Sequence, residues 1–275
     1  MDERILVALL TDVFLEDSDH LRLREYLLEA KSSGATLAVL PELPLNPWSP
    51  ANRESIREDA EPLGGLRQQV FSRMSSEIGI ALLGGAIVTD SKTGKRYNTA
   101  LFYDHNGQLV GQYRKIHLPE EEGYWETSHY MPGTDPPTVI QISEATIGVQ
   151  ICSDINRPQG SQILRAQGAE LLLVPRATPS ETYERWRLIL RANAIMSEVY
   201  LISVNRPFSE FGVDIGGPSL AVGPDGEILF EGTEPLAIVE IDGNKLKTIG
   251  AQYPGYLPRM VDVYARGWSE LIDSE

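Results

Sequence analysis

Buried strands and helices alternate along the first ninety or so residues. Unbroken apolar runs from Ile5 to Leu10 and from Leu37 to Leu40 are typical of strands buried on both faces. A helix between them is predicted by apolar residues that share one face before Gly34, namely Leu23, Leu27 and Ala30. A second helix is predicted by residues recurring every four positions, namely Leu66, Val70, Met74 and Ile78. The apolar run over 80–88 predicts the strand that follows.

The middle of the chain repeats this pattern. It predicts a strand over 146–151, a helix over 158–167 that ends at Gly168, and a strand over 171–174. The segment GATLAVLPE from Gly34 to Glu42 can be laid over GAELLLVPR from Gly168 to Arg176. Two similar strand–helix–strand units indicate two sheets, each covered by helices on one face and by the other sheet inside. Alternatively, the likeness of the two segments is a coincidence, because Gly often ends a helix and Pro often follows a buried strand.

Shorter elements complete the pattern. Extended runs over 99–103 and 109–113 flank an Asn106-Gly107 turn, and helical spacing over 183–199 predicts a third helix. Further strands are predicted over 200–204, 220–222, 228–230 and 236–241. About thirty residues at the end lack periodicity. We expect the tail over 252–275 to dock on its own domain or on a second subunit.

Composition narrows the classes of function. With 275 residues, 42% of them hydrophobic, the chain can bury one large core, which favours a single domain over 1–275. The apolar runs are too short for a membrane span or a signal segment, so we expect a cytoplasmic protein. The net charge of -15 would repel nucleic acid. One cysteine and four scattered histidines give no metal-binding pattern, and no cofactor is expected.

Three polar residues lie where an apolar strand runs into a loop. They are Glu42, Lys115 and Cys152. Sites are commonly built at strand ends. A thiol needs a base to become a good nucleophile, and the tetrahedral intermediate of acyl transfer needs a positive or N–H donor. Taken singly, a lone cysteine is more often a core residue and a glutamate or lysine is usually solvated.

Three motifs resemble the signatures of one known family, the carbon–nitrogen hydrolases of the nitrilase superfamily. They are LAVLPEL from Leu37 to Leu43, YRKIHL from Tyr113 to Leu118, and GVQICSD from Gly148 to Asp154. Weaker agreement occurs at YNTA from Tyr97 and at GGPS from Gly216, which is followed by PDG from Pro224. The motifs occur in the family's order and spacing, and the resemblance covers nearly the whole chain.

The resemblance implies an α/β fold, a four-layer α-β-β-α sandwich. It also implies that Glu42 is the general base, that Cys152 is the nucleophile, and that Lys115 and the backbone N–H of Ser153 stabilise the oxyanion. A second glutamate often supports the site in this family. Glu126, shortly before the segment from Tyr130 to Gly133, matches that position, and Glu122 is the alternative. Either glutamate could equally lie in an acidic loop exposed to solvent.

Departures from the family pattern bear on the substrate. Nitrilases of the family carry Trp-Glu after the cysteine, whereas this chain has Ser153-Asp154, which favours amides or carbamoyl compounds over nitriles. Arg157 stands where most relatives have an aromatic residue. Arg157 and Arg176 follow the strands nearest the nucleophile, so either could pair with a substrate carboxylate, unless both form internal ion pairs.

The resemblance therefore predicts cysteine-dependent hydrolysis of a small amide or N-carbamoyl compound through a thioester, with release of ammonia or an amine. A nitrilase, an acyltransferase and a catalytically idle binding relative are the alternatives. The presence of all three catalytic residue types argues against an idle relative. Relatives are often dimers or larger, so a homo-oligomer is expected.

Overall fold

Two β-sheets form the centre of the structure. The computed structural model describes residues 4–16, 18–253 and 255–272. In that part of the chain the first sheet contains β1 (Arg4–Leu10), β2 (Leu37–Val39), β3 (Ala60–Pro62), β4 (Ala81–Thr89), β5 (Arg96–Tyr103), β6 (Leu109–Arg114) and β15 (Leu236–Asp242). The second contains β9 (Ile140–Gln141), β10 (Thr146–Val149), β11 (Leu171–Arg176), β12 (Tyr200–Asn205), β13 (Ser219–Val222) and β14 (Ile228–Gly232). A short hairpin joins β7 (Glu120–Glu121) and β8 (Tyr124–Trp125).

Helices α1 (Asp19–Ser32), α2 (Leu66–Ile78), α3 (Pro158–Ala166) and α4 (Tyr183–Ser197) cover the outer faces of the two sheets. Two further helices, α5 (Gly243–Ile249) and α6 (Val261–Ile272), follow the last strand. The buried side chains of α1 and α2 pack with the first sheet, and those of α3 and α4 pack with the second. The helix predicted over 183–199 corresponds to α4, and the helix predicted from the four-residue spacing of Leu66 to Ile78 corresponds to α2. Apolar residues at helical spacing predict a helix reliably because they mark its buried face.

Alternation along β1 shows how the layers are separated. Val7 and Leu9 belong to the core cluster shared with the second sheet, whereas Ala8 and Leu10 belong to the cluster beneath α1 and α2. Successive side chains of a strand point to opposite faces, so a strand with both faces covered is apolar throughout. The structure confirms the predicted α-β-β-α sandwich.

The predicted internal repeat is present in the topology. In the first sheet, parallel strands β1, β2 and β4 are followed by antiparallel β5 and β6. In the second sheet, parallel strands β10, β11 and β12 are likewise followed by antiparallel β13 and β14. The two matched glycines, Gly34 and Gly168, have φ of 91° and 100°. Each one precedes an alanine whose N–H donates back to the last turn of the helix at 3.0 Å. These glycines end equivalent helices in the same way.

The end of the chain differs from its prediction. It forms α5 and α6, and α6 carries apolar side chains on one face although no periodicity was expected. Every residue of α6 is exposed, so this part of the tail is not buried in the domain. Residues 254 and 273–275 of the tail, and 1–3 of the domain, lie outside the described residues. In the described ranges, no helix has both the length and the apolar character needed to cross a membrane.

Candidate active site

The three residues at strand ends converge between the sheets. Glu42 follows β2, Lys115 follows β6, and Cys152 follows β10 of the other sheet. Their exposed fractions are 1%, 0% and 4%. A glutamate and a lysine are almost never fully buried unless they are paired. Their burial therefore indicates that they form an internal polar site and are not loop residues exposed to solvent.

Lys115 is held between two carboxylates. Its Nζ donates to Glu42 Oε1 at 2.8 Å and to Glu126 Oε1 at 2.6 Å. Asn98 Nδ2, on β5, donates to the same Glu42 oxygen at 2.7 Å. The other oxygens of Glu42 and Glu126 accept no hydrogen bond from the described residues. Each carboxylate thus retains one buried acceptor for a group that enters the site.

Burial and mutual charge set the protonation of this cluster. Burial would lower the pKa of Lys115, but attraction by Glu126 and Glu42 outweighs it, and the pKa rises well above its usual value. Burial raises the pKa of Glu126 to about 8, with Lys115 opposing the rise and Glu42 adding to it. Burial, followed by the Glu42 carboxylate, also raises the pKa of the Cys152 thiol. The thiol therefore needs a base to become nucleophilic.

Cys152 lies at a strained bend. Its φ is 48°, in the left-handed region that residues with a Cβ seldom adopt. Its Sγ lies 3.8 Å from the carbonyl oxygen of Ala177. The bend joins the end of β10 to a short 3-10 helix, Cys152–Asn156. Strain of this kind is often found at functional sites, where it fixes the direction of a side chain.

Asp154 connects the lysine loop to the cysteine loop. Its Oδ1 accepts from the backbone N–H groups of His117 at 2.8 Å and Ile116 at 3.2 Å, directly after Lys115. Its Oδ2 accepts from Tyr113 Oη at 2.8 Å and from the Ile151 N–H at 3.3 Å, directly before Cys152. One buried carboxylate therefore sets the distance between two loops from different sheets.

The structure separates the two candidate glutamates. Glu126 is 0% exposed and contacts Lys115, whereas Glu122 is exposed to solvent near the tip of the β7–β8 hairpin. The cluster therefore contains Glu126 and not Glu122. The position before the segment from Tyr130 to Gly133 did not distinguish them in the sequence, because either glutamate could lie in a solvated loop.

The two candidate arginines have different surroundings. Arg176 is 0% exposed and is bonded internally, through Nε to Ser203 Oγ at 2.8 Å, through Nη1 to Thr178 Oγ1 at 2.5 Å, and through Nη2 to the Pro218 carbonyl. Burial lowers its pKa to about 10. These bonds tie each guanidinium nitrogen to a neutral group of the protein, so the alternative of an internal ion pair is wrong for Arg176. Its role toward a substrate carboxylate stays a prediction.

Arg157, in contrast, is exposed beside the cysteine loop. It lines a surface cavity of about 340 Å³ with Tyr113 and Trp268, and another of about 240 Å³ with Ser153. Neither cavity is lined by Cys152, Glu42 or Lys115. The Ser153 hydroxyl donates to the His117 carbonyl, so this residue also links the two loops. The roles of Arg157 and Ser153 toward a substrate stay predictions.

Asn98 and Asp154 were not singled out from the sequence, although both contact the site. Asn98 lies in the YNTA segment and Asp154 in the cysteine motif. Their position inside motifs that match the family was the one sequence feature that could have indicated a role in the site. A short polar side chain alternating with apolar residues on a strand otherwise gives no indication of the group that it contacts.

The cluster combines the groups needed for acyl transfer. A thiol, a carboxylate with a free oxygen and an ammonium are buried close enough to influence one another's charge. A carboxylate can take the thiol proton, and an ammonium can stabilise negative charge that develops on a substrate oxygen or nitrogen. The arrangement suits covalent catalysis on a carbon bonded to nitrogen or oxygen.

Comparison with known proteins agrees with this geometry. The family described as Carbon-nitrogen hydrolase matches residues 14–250. The chain is 31% identical over 249 residues to omega-amidase NIT2 of Homo sapiens, covering 87% of this chain and 88% of that protein. It is 30% identical over 256 residues to a deaminated glutathione amidase of Synechocystis sp. strain PCC 6803, covering 88% and 93%.

A solved structure adds the fold. A cysteine-to-alanine variant of the amidase from Nesterenkonia sp. AN1, in complex with butyramide, superposes with a TM-score of 0.75 at 25% identity, covering 96% of each chain. The family match spans most of the sequence and includes Glu42, Lys115, Glu126 and Cys152. The chain belongs to the carbon–nitrogen hydrolases of the nitrilase superfamily.

Proposed function

We propose that this protein hydrolyses the carbon–nitrogen bond of a small linear amide, through a thioester on Cys152, to a carboxylic acid and ammonia or an amine. The observation that carries the proposal is the buried cluster in which Lys115 bridges Glu42 and Glu126 beside the only cysteine of the chain. Burying these charges is costly, and they are retained where catalysis needs a dry, preorganised electrostatic site.

Acylation follows from the positions of these groups. Glu42 takes the proton of the Cys152 thiol, and sulfur adds to the amide carbon. Lys115 and the backbone N–H of Ser153 stabilise the oxyanion. As the carbon–nitrogen bond breaks, the nitrogen accepts the proton held by Glu42 and leaves, and a thioester remains.

Deacylation uses the same groups in reverse order. Glu42 removes a proton from water, and the oxygen of that water adds to the thioester carbon. The carbon–sulfur bond then breaks, the thiolate regains its proton from Glu42, and the acid is released. We assign Glu126 the task of orienting the substrate, because its Oε2 is buried near Lys115 and accepts no hydrogen bond from the described residues.

Two observations support an amide rather than a nitrile. The residues after the cysteine are Ser153 and Asp154, in contrast to the Trp-Glu of nitrilases. The named relatives are amidases, and the related Nesterenkonia protein is described with butyramide. Because Cys152 is only 4% exposed, we expect small or slender substrates.

Arg157 offers a way to recognise a carboxylate on the substrate. It is exposed next to Ser153, and a guanidinium pairs well with a carboxylate. If it binds the remote carboxylate of an ω-amide or an N-carbamoyl amino acid, Arg157→Ala raises KM for those compounds and leaves KM for butyramide unchanged. An equal KM for the charged substrates in both proteins would reject this part of the proposal.

The first experiment is ammonia release from a panel of simple amides, ω-amides, N-carbamoyl amino acids and nitriles, with Cys152→Ala beside the wild type. We expect release from an amide class and no release above background by the variant, with both proteins melting at a similar temperature. A mass increase on Cys152 after rapid acid quench would identify the thioester.

Other results would redirect the proposal. Turnover by Cys152→Ala equal to the wild type would exclude the cysteine mechanism. Preference for nitriles would favour a nitrilase, and formation of a new amide from an added amine, without acid formation, would favour an acyltransferase. Silence over the whole panel, with no acylated cysteine, would favour an idle relative.

A further inference from the structure

The loop that carries Glu42 contains a strained residue. Leu43, directly after Glu42, has φ of 50° and is 0% exposed. A leucine adopts the left-handed region only when its surroundings hold it there. Relaxation of Leu43 to a negative φ would rotate the peptide that follows Glu42 and turn its side chain away from Lys115.

Arg206 holds both sides of this strained residue. It follows β12 of the second sheet and is 0% exposed. Its Nη1 donates to the carbonyl oxygens of Glu42 at 2.9 Å and Leu43 at 2.7 Å. Its Nη2 donates to the carbonyl of Asn46 at 3.1 Å. Three loop carbonyls are thus fixed by one rigid guanidinium.

Glu210 fixes the guanidinium in turn. Its Oε1 accepts from Arg206 Nε at 2.8 Å and also from Nη2. Its Oε2 accepts from the backbone N–H of Trp48 at 3.0 Å, which lies on the same loop as Leu43. The pair therefore contacts the loop from two sides. The indole of Trp48 packs 5.6 Å from the centre of the guanidinium.

We propose that Arg206, oriented by Glu210, is a positioning residue that keeps the Glu42 loop in its strained, productive conformation. This inference rests on the proposed function, since it assigns the pair a task in placing the general base. Glu42 follows a strand of the first sheet, whereas Arg206 and Cys152 both follow strands of the second. The pair therefore holds the base in place from the sheet that carries the nucleophile.

The test compares four variants with the wild type. Arg206→Met removes the guanidinium, Arg206→Lys keeps the charge without the planar donors, and Arg206→Met with Glu210→Met removes both charges. Arg165→Met is the matched control, because Arg165 pairs with Glu198 at 3.3 Å and bonds the Ala169 carbonyl at 3.4 Å away from the cluster. Melting temperature, kcat and KM are measured for each protein.

A second readout does not depend on the identity of the substrate. The rate of Cys152 alkylation by iodoacetamide is measured against pH, because it reports how readily the thiol loses its proton. The negative charge of Glu42 raises the pKa of the Cys152 thiol, so moving this carboxylate away makes the thiol easier to ionise. Alkylation of the displaced-base variants should therefore begin at a lower pH than alkylation of the wild type.

The proposal expects loss of catalysis that is separate from loss of stability. Displacement of a catalytic group by about 1 Å can cost about a hundredfold in rate, so Arg206→Met should lower kcat by that order with little change in KM. The double variant leaves no unpaired buried charge and should melt above Arg206→Met. Its kcat should nevertheless stay low, and its alkylation profile should stay shifted. Arg206→Lys should lie between the single variant and the wild type.

Specific outcomes would overturn the proposal. It is wrong if the double variant regains wild-type kcat and alkylation profile, since the pair would then be structural only. It is also wrong if Arg206→Met and Arg165→Met lower kcat equally. If Arg206→Met fails to fold, the double variant decides the question. A wild type without amide turnover would reject the proposed function, while the alkylation profiles would still test the positioning of Glu42.

Discussion

Glu126 shows how burial changes the chemistry of a carboxyl group. In water its pKa would lie near 4.5, and burial raises it to about 8 although Lys115 is in contact. The cluster already contains the Glu42 carboxylate, so a second negative charge there is unfavourable. Near neutral pH the site can therefore hold one proton more than its residue types suggest.

This raised pKa predicts a pH-dependent difference in stability. The folded protein binds the Glu126 proton more tightly than the unfolded chain, so this contribution is fully present below about pH 4.5 and is lost as the pH rises through about 8. Glu126→Gln cannot ionise and lacks this dependence. The stability of the wild type relative to Glu126→Gln should fall across that window, by at most about 1.4 kcal/mol for each pH unit.

Thermal melts from pH 5 to 8 measure this difference. Glu122→Gln is the matched control, because Glu122 is an exposed glutamate four positions earlier and should follow the wild type at every pH. If the gap between wild type and Glu126→Gln stayed constant with pH, Glu126 would titrate normally in the folded protein, and the electrostatic description of the cluster would be wrong.

At the scale of elements, Asp154 joins two loops that the topology alone would leave independent. It accepts hydrogen bonds from the loop after β6 and from the residue before Cys152. We expect Asp154→Asn to place an amide N–H₂ against one of these donors. The cost should be about 1–3 kcal/mol of stability, with a fall in kcat of about tenfold or more, because Lys115 and Cys152 would move apart.

Asp104→Asn is the control for this prediction. Asp104 also accepts from backbone N–H groups, those of Asn106 at 2.9 Å and Gln108 at 2.8 Å, but it lies in the turn between β5 and β6. Its loss should lower the melting temperature without lowering kcat. Equal kcat in Asp154→Asn and the wild type would show that the loops keep their spacing without this carboxylate.

The elements differ in how well the sequence predicted them. The buried strands and the helices α2 and α4 follow directly from apolar runs and helical spacing, because burial on both faces or on one face leaves a clear pattern. The two-residue strands β7, β8 and β9 were not predicted, since so few residues carry no period. The helix α6 was missed because its apolar positions follow a region of Pro, Gly and Tyr without pattern.

The site residues also differ in how well the sequence predicted their positions. Glu42, Lys115 and Cys152 were found because they follow strands and lie in motifs, and the structure brings them together. Arg176 follows a strand as well, yet its guanidinium turns inward to Ser203 and Pro218. The pattern places a residue at the end of a strand, but the direction of a long side chain depends on which carbonyls and hydroxyls lie nearby.

For the whole molecule, the repeat explains why the site lies where it does. Both halves run through three parallel strands, and the loops after such strands meet between the sheets. The first half supplies Glu42 and Lys115, and the second half supplies Cys152 and Arg206. Neither half contains the complete cluster, so the proposed activity requires both sheets in contact.

One large apolar surface remains outside this core. Side chains of α6 that are half exposed or more lie on one face of the helix, namely Val261, Tyr264, Trp268, Leu271 and Ile272. Exposed apolar surface of this kind usually marks an interaction site. We expect a second copy of the chain to cover it. Light scattering should then give a multiple of the 30.5 kDa chain mass.

Substitution of this face tests that expectation. Val261→Ser with Trp268→Ser should reduce the mass toward 30.5 kDa, because two large apolar contacts would be lost from the interface. Leu188→Ser is the control, since Leu188 is 68% exposed on α4 and lies outside the tail. A mass of one chain for the wild type would exclude association with a second copy. An unchanged oligomer in the double variant would instead place the interface on another surface, because the face of α6 would then contribute little to association.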